Sequence, residues 1–400
     1  MVRILWISMC APYSGVPHAG GQTLEYYLRN FAKQAELDIT LIAKLRPGEE
    51  EHLQAIGSGV RLIPIQNRTG AGRLWDLGIS APRRLNPFSP YGNTLLQSVY
   101  NAITQELKKL KKTGYAPEVI VLEWGQMVLF AHKVKAIFPD AKIVASEHDV
   151  MFLGLQRIAQ KAGGIKKYYA AMQYRNILRR ELKALGQCDL IVTHNDKDKR
   201  LLLDHSVPPE KLHTIAPYYH KMELTRDPNR RDILFFGDMR RPENYLSAIW
   251  FIEHVMPLLQ DRDVRFVILG GSPDEKLKQY ASENVVVTGF VEDLTPYFSS
   301  CCCLVAPLLL GAGIKVKLLE AMYAGLPVLT NDIGIEGIPA EDGKDYLHCE
   351  SAPEYARKIC KLLDGDTDIA ALSRSAKHCI EKGFDLEQSL RDYLDRISSL

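Results

Sequence analysis

No apolar run in this chain approaches the roughly 20 residues needed to cross a bilayer, which argues against a helical membrane span. Cysteine is sparse: eight in 400 residues do not make a disulfide framework and point instead to a reducing compartment. Three of the eight are adjacent, Cys301, Cys302 and Cys303, at the head of CCCLVAPLLL, which reads as a buried strand. Alternation along a strand sends neighbouring side chains to opposite faces, so the three thiols are expected not to converge on one metal and to act as small buried hydrophobes. The histidines and acids lack a zinc spacing, and no metal is expected. No GxGxxG fingerprint with a distal ribose acid occurs, which disfavours a nicotinamide oxidoreductase. No low-complexity tract, short-period repeat, nucleic-acid motif or basic face with interleaved aromatics is present, so a nucleic-acid partner is not expected.

What is present describes a globular chain with a sizeable core, 46% hydrophobic and 24% charged. A length of 400 residues exceeds what one core usually supports and implies two domains. The opening MVRILWISMC has one charge and a short apolar run before a glycine-rich stretch, and reads as a buried first strand rather than a processed signal. The formal charge of +2 conceals an asymmetry. Residues 1–215 carry 29 Lys/Arg against 19 Asp/Glu, whereas residues 216–400 carry 21 against 29. Opposite charge suits two domains that face each other; an anionic membrane or acceptor beside the first domain is the competing reading.

Strands RILWIS, DITLIA, VRLIPI, PEVIVLEW, KIVASEHD and CDLIVTHN alternate with helical segments, notably TLEYYLRNFAKQA with one apolar face and a long basic helical region near 155–185. The stretch 68–91 reads as a long loop or lid. After a crossing at 216–231 the pattern restarts with DILFFGDM, VRFVILGG, NVVVTGFV, CLVAPLLL and PVLTND. The predicted fold class is α/β: two Rossmann-like domains facing across a cleft, each a mostly parallel sheet covered on both sides. Predicted boundaries are 1–215, 216–380, and a closing helix over 381–400. Ligands are expected beyond the carboxyl ends of the strands.

GAGIKVKLLEAMYAG is the strongest local signal. Gly311 and Gly313 permit tight turns around Ala312, and with Ile314 they lead into a helix whose first N–H groups can receive an anion. Lys315 and Lys317 add positive charge in the first turn, against the helix dipole, which an anionic ligand would offset. Glu320 lies three residues beyond Lys317; the alternative is a solvated surface pair. Gly20 and Gly21 occupy the corresponding place in the first domain, as a phosphate-approach loop or a simple turn. His148, at the end of KIVASEHD, is placed to contact a substrate hydroxyl or leaving group, or to serve as a structural histidine, and the HND of His194 to Asp196 repeats this pattern. Gly237 precedes Arg240 and Arg241, one of which is a candidate phosphate ligand. Gly289, Phe290 and Val291 end a strand and offer backbone and apolar surface for a base.

The ordered set GGQTLEYYLRNFAKQ, FFGDMRRPEN, VVVTGFVEDLTPYFSS and VAPLLLGAGIKVKLLEAMYAGLPVLTNDIGIEG resembles the retaining, two-domain glycosyltransferases of family 4, and the likeness runs over nearly the whole chain. The resemblance implies the GT-B fold and transfer of a sugar from a nucleoside diphosphate to a carbohydrate or glycolipid acceptor, without another cofactor. It implies that Gly20 and Gly21 lie near the donor diphosphate, that His148 contacts the transferred sugar, that Lys315 binds phosphate, and that Glu320 binds ribose hydroxyls. It also implies that 384–400 packs on the first domain, through Phe384, Leu386, Leu390, Tyr393, Leu394 and Ile397. Many relatives carry a second glutamate eight positions before the first, where this chain has Ala312, and a Lys-Gly pair where it has Arg240 and Arg241. A sugar-nucleotide epimerase or a noncatalytic nucleotide-sugar binding protein are the alternatives. The expected setting is cytoplasmic, with peripheral, electrostatic contact to an anionic membrane through the basic region 157–183.

Overall fold

The computed structural model describes residues 1–56, 59–66, 78, 86–88, 97–227, 231–311 and 313–400. Most of the expected loop at 68–91 and Ala312 lie outside the described residues. The chain divides into two compact units, one of residues 1–216 and 386–400, the other of residues 217–385.

Unit 1 is built on seven parallel strands: β1 (Val2–Ser8), β2 (Leu37–Lys44), β3 (Val60–Ile65), β4 (Val119–Glu123), β5 (Lys142–Glu147), β6 (Leu190–Thr193) and β7 (Leu212–Thr214). Their order is β3-β2-β1-β4-β5-β6-β7, so the winding reverses between β1 and β4. The central strands read as unbroken apolar runs because both faces are covered. One face packs the 97–112 and 164–185 helices around Tyr100, Phe130 and Ile177. The other packs the 19–31 helix around Trp6, Tyr27 and Phe31.

The C-terminal helix Leu386–Ser398 belongs to unit 1. Its Tyr393 and Ile397 are 1% and 2% exposed, and the Tyr393 ring lies 5.2 Å from that of Phe31. Ser389 ties it down polarly: its hydroxyl is 2.6 Å from the Tyr27 hydroxyl and accepts from the Ala216 amide at 2.8 Å. Burying two such large side chains contributes about 1.5–3 kcal/mol each. Phe384 belongs to unit 2, where its carbonyl accepts from the Tyr219 hydroxyl.

Unit 2 repeats the plan with β8 (Asp232–Phe236), β9 (Phe266–Leu269), β10 (Val285–Gly289), β11 (Cys301–Ala306), β12 (Val328–Thr330) and β13 (Leu347–His348), all parallel, in the order β10-β9-β8-β11-β12-β13. Here the winding reverses between β8 and β11.

Two local readings are corrected. The basic region near 155–185 is two helices, Met151–Lys161 and Gly164–Leu185, because Gly163 and Gly164 interrupt the first. In β11 the three cysteines are buried, but Cys302 and Cys303 do not point apart: their sulfurs are 3.6 Å from one another. The register against β8 slips between Cys301 and Cys303, and such an irregularity breaks the alternation that a regular strand imposes. The strand also ends at Ala306, short of the apolar PLLL that follows.

Candidate functional site

The carboxyl edge of each sheet, at the point where its winding reverses, gathers the polar side chains singled out in the sequence. In unit 1 the chain leaves β1 and enters the Ala19–Phe31 helix, capped by His18. Gly20 and Gly21 are in the first turn of that helix rather than in a free loop. The Gly21 amide already donates to His18 Nδ1 at 2.9 Å. Gly20 has a different reason to be glycine: a Cβ there would stand 3.2 Å from His148 Nδ1 and 3.3 Å from the Trp124 ring. The missing side chain lets the helix start against the histidine.

His148 is held on three sides. Its ring stacks on Trp124 at 4.5 Å and on His194 at 4.2 Å. Its Nε2 lies 2.7 Å from Glu123 Oε1. Glu123 also accepts from Ser146 Oγ and from Trp6 Nε1, each at 2.7 Å. With Nε2 turned to this carboxylate, Nδ1 is the ring nitrogen on the Gly20 side. Trp124 adopts φ +73°, a left-handed conformation that a bulky residue takes only under constraint.

His194 is fully buried, and burial holds its pKa well below the usual histidine range, so it is the neutral wall of this stack. The ligand-type atoms of Glu123, His148 and His194 lie within 4.8 Å of one another. Stacked rings, however, set their in-plane lone pairs side by side rather than toward a common centre, and both Glu123 oxygens already accept from the protein. The arrangement is that of a rigid hydrogen-bonding post. Asn195 caps the 196–204 helix by accepting from the Asp198 amide at 2.7 Å.

Behind His148, Glu147 is wholly buried and burial, reinforced by Glu181, raises its pKa well above the carboxylate range. Burial also raises Glu181 to about 8, although it accepts from the Met151 and Phe152 amides at 2.8 and 3.0 Å. A raised folded-state pKa contributes stability that is complete below the unfolded value, 4.5, and is lost as pH rises through about 8. Glu181→Gln should therefore flatten the loss of stability across that window, with a relative gain at pH 9 over pH 5 on the order of 3 kcal/mol. Urea unfolding at the two pH values measures it, and an equal shift at both would show that Glu181 is ionised in the folded protein.

In unit 2, β8 ends at Phe236 and the chain turns at Gly237. A Cβ there would meet Asn244 Nδ2 at 2.8 Å. Asn244 donates to the Asp238 carbonyl at 2.9 Å, and its Oδ1 receives Lys317 Nζ at 2.9 Å. The ammonium of Lys317 also stands 4.4 Å over the Phe235 ring. Burial, then the nearby charges of Lys315 and Arg241, lower the Lys317 pKa to about 7. The loop after β11 supplies the other wall. Gly311 and Gly313 have φ of +141° and +69°, which glycine accommodates without strain. Ile314 is half-buried, and Lys315 is the N-cap of the Val316–Tyr323 helix rather than part of its first turn. The Lys315 ammonium folds back to the Gly313 carbonyl.

Lys317 and Glu320 do not pair on this helix as neighbours at that spacing could. Lys317 turns to Asn244, whereas Glu320, 6% exposed, accepts from the His220 amide at 3.3 Å. Burial raises the Glu320 pKa to about 7. A cation and an acid, each partly neutralised by burial, thus stand at one helix beside a glycine turn, an arrangement suited to an anion at one end and hydroxyl groups at the other.

Residues 230–365 match the sequence profile of the family described as glycosyl transferases group 1. The matched stretch falls within unit 2. Gly237, Asn244, Lys315, Lys317 and Glu320 all lie within it. An uncharacterised 44.6 kDa protein from the cps region of Klebsiella pneumoniae is 24% identical over 189 residues, covering 44% of this chain and 48% of that one, so the chain spans about half the length of this curated relative. Sucrose-phosphate synthase from Thermosynechococcus elongatus superposes with a TM-score of 0.72 at 13% identity, over 100% of this chain and 99% of that one. Anabaena HepE in complex with UDP-glucose superposes with a TM-score of 0.68 at 14% identity, over the full length of both chains. At these identities the likeness is one of fold: two parallel-sheet Rossmann-like domains, as in GT-B glycosyltransferase structures.

The remaining candidates in unit 2 divide. Arg240 forms a two-point contact with Asp238 at 2.9 and 2.8 Å, and Arg241 pairs with Glu243. Both are more than half exposed and bound to a local carboxylate, the surface arrangement. Gly289, at φ +77°, ends β10, Val291 is half-buried, and Phe290 between them is 76% exposed. An aromatic face left in solvent beside Gly271 is available for stacking. The reading from residues alone passed over His18, Glu123, Trp124, Phe235 and Asn244. Trp124 stood in view at the end of PEVIVLEW, but nothing local marks Asn244, seven residues after Gly237, as the partner of a lysine on another helix.

Proposed function

We propose that the chain is a retaining glycosyltransferase that moves a sugar from a nucleoside-diphosphate sugar to a hydroxyl of a carbohydrate or glycolipid. The observation that carries this reading is the Gly237, Asn244 and Lys317 cluster at the reversal point of the sheet in unit 2. Lys317, Lys315 and the N-terminus of the Val316–Tyr323 helix would take the diphosphate and stabilise charge growing on it as it departs. Glu320 would accept from the ribose hydroxyls, and Phe290, with the backbone of Gly289 and Val291, would hold the base. The bound nucleotide in Anabaena HepE, UDP-glucose, is the kind of donor meant.

In the reaction the bond from the anomeric carbon to the diphosphate oxygen breaks and a bond to the acceptor oxygen forms. The acceptor proton passes to the departing phosphate on the same face. Glu123 is an unsuitable nucleophile, since protein donors engage both its oxygens. His148, with Nε2 turned to Glu123, would position the sugar by accepting from a hydroxyl at Nδ1. Eight free thiols fit a reducing, cytoplasmic setting.

Incubation with a panel of nucleotide sugars, with and without membrane extract, tests the reading. The expected outcome is diphosphate release that depends on acceptor, with a glycosylated product. Isomerised nucleotide sugar without acceptor would establish the epimerase, and binding without turnover a noncatalytic protein. His148→Ala should lower turnover by roughly tenfold, the value of one hydrogen bond, with nucleotide-diphosphate affinity unchanged in calorimetry.

A further inference from the structure

Helices 151–161 and 164–185 pack side by side as a hairpin that springs from the strand end bearing His148. Their inner faces bury Phe152, Ala170, Ile177 and Leu185. The outer face near the turn is unusual for a solvated surface. Ile158 is 57% exposed, Ile165 88%, Tyr168 74% and Met172 38%. Ile165, Tyr168 and Met172 follow one another at steps of three and four, so they form one stripe on the longer helix. Arg175 and Arg179 continue the same stripe away from the turn, and both are exposed. Single exposed apolar residues need no explanation, but a grouped patch does.

The charge carried by the hairpin itself is almost all of one sign. Residues 151–185 hold eight Lys/Arg and one acid, Glu181, which is buried at the base of the hairpin. Lys161, Lys166 and Lys167 flank the apolar tip and are exposed. From the sequence, Ile158, Ile165, Tyr168, Tyr169 and Ile177 show no clean stripe, which suggests attachment by charge alone. The structure sorts them: Ile177 is buried and Tyr169 half-buried, while Met172 joins Ile165 and Tyr168 outside.

We propose that this hairpin docks on a lipid bilayer bearing anionic headgroups and seats Ile165 and Tyr168 among the acyl chains. Apolar groups enter an interface by about 5–10 Å, and lysines beside them reach back to the headgroups along their stems. Ten residues of helix rise about 15 Å, which sets Arg175 above the apolar tip at the height of the phosphates when the helix stands steeply. The 151–161 helix, about 16 Å long, would then carry the bilayer surface close to the strand end of His148. An acidic protein would satisfy the lysines but offers no reason for an apolar tip between them.

Flotation of the full chain with vesicles decides the matter, using phosphatidylcholine alone and phosphatidylcholine mixed with phosphatidylglycerol. The wild-type protein should float with the mixed vesicles only. Ile165→Ser/Tyr168→Ser should lower partitioning at least tenfold, and Lys166→Ala/Lys167→Ala about thirtyfold at low salt. All four positions are exposed, and circular dichroism checks that each variant is folded. A serine variant that partitions like the wild type would overturn the seating of the tip. Binding to heparin but to neither vesicle, or equal binding to both vesicles, would overturn the anionic bilayer as the partner. None of these outcomes depends on glycosyl transfer.

Discussion

Lys317→Met should weaken nucleoside-diphosphate binding by about 10- to 150-fold, the worth of a charge-assisted hydrogen bond of roughly 1.5–3 kcal/mol, while unit 2 stays folded. Methionine keeps an unbranched apolar stem of similar length and removes the ammonium, with its contacts to Phe235 and Asn244. The cation is already desolvated and held by Asn244, so its charge is available to an anion at little further cost. Lys315→Ala should have the smaller effect, because its ammonium is turned back onto the Gly313 carbonyl. The pH dependence follows from two groups. Free Lys317 titrates near 7, and an anion favours its charged form, so affinity should fall as pH rises above 7. Glu320 also titrates near 7 and must be ionised to act as a charged acceptor, so affinity should fall below 7. Calorimetric titration with a nucleoside diphosphate should give a bell near neutrality. Lys317→Met removes its alkaline limb and Glu320→Gln its acid limb. Near-wild-type affinity in both variants would place the nucleotide elsewhere.

Gly270→Ala should destabilise unit 2 by about 3 kcal/mol or more. Gly270 follows β9 with φ +157°, and a Cβ there would stand 1.9 Å from the Gly237 carbonyl oxygen and 2.9 Å from Met239 Cγ. That carbonyl has no easy retreat, since the Gly237 amide donates to the Leu269 carbonyl at 3.1 Å and Asn244 leaves no room for even a Cβ on Gly237. The methyl group must push the turn that holds Asn244, and with it Lys317, so nucleotide affinity should drop together with the thermal midpoint. Gly289→Ala is the comparison: its φ is +77° but nothing lies within 4 Å of a Cβ, so only backbone strain of about 1 kcal/mol is expected. Equal midpoints for the two variants would refute the close packing of the Gly237 and Gly270 turns.

The residues that pattern revealed are those whose role is local. Buried parallel strands such as RILWIS and DILFF announce themselves as apolar runs because both faces of each sheet are covered. Gly311 and Gly313 are legible because glycine at a strand-to-helix turn answers to the backbone alone. The two-unit α/β architecture and the polar strand ends at His148 and Gly237 follow from such periodicities. The orientation of side chains does not, because it depends on neighbours distant in sequence. Glu123 and His148 are 25 residues apart, and Lys317 and Asn244 are 73 apart. Tertiary packing decided that His148 is clamped by Trp124, His194 and Glu123, that Lys317 reaches Asn244 while Lys315 folds back to Gly313, that Arg240 and Arg241 pair at the surface, and that Cys302 meets Cys303. Each is set by competition among contacts for a limited buried volume. Composition and periodicity carry the cost of burying a residue, but not the partner that offsets it.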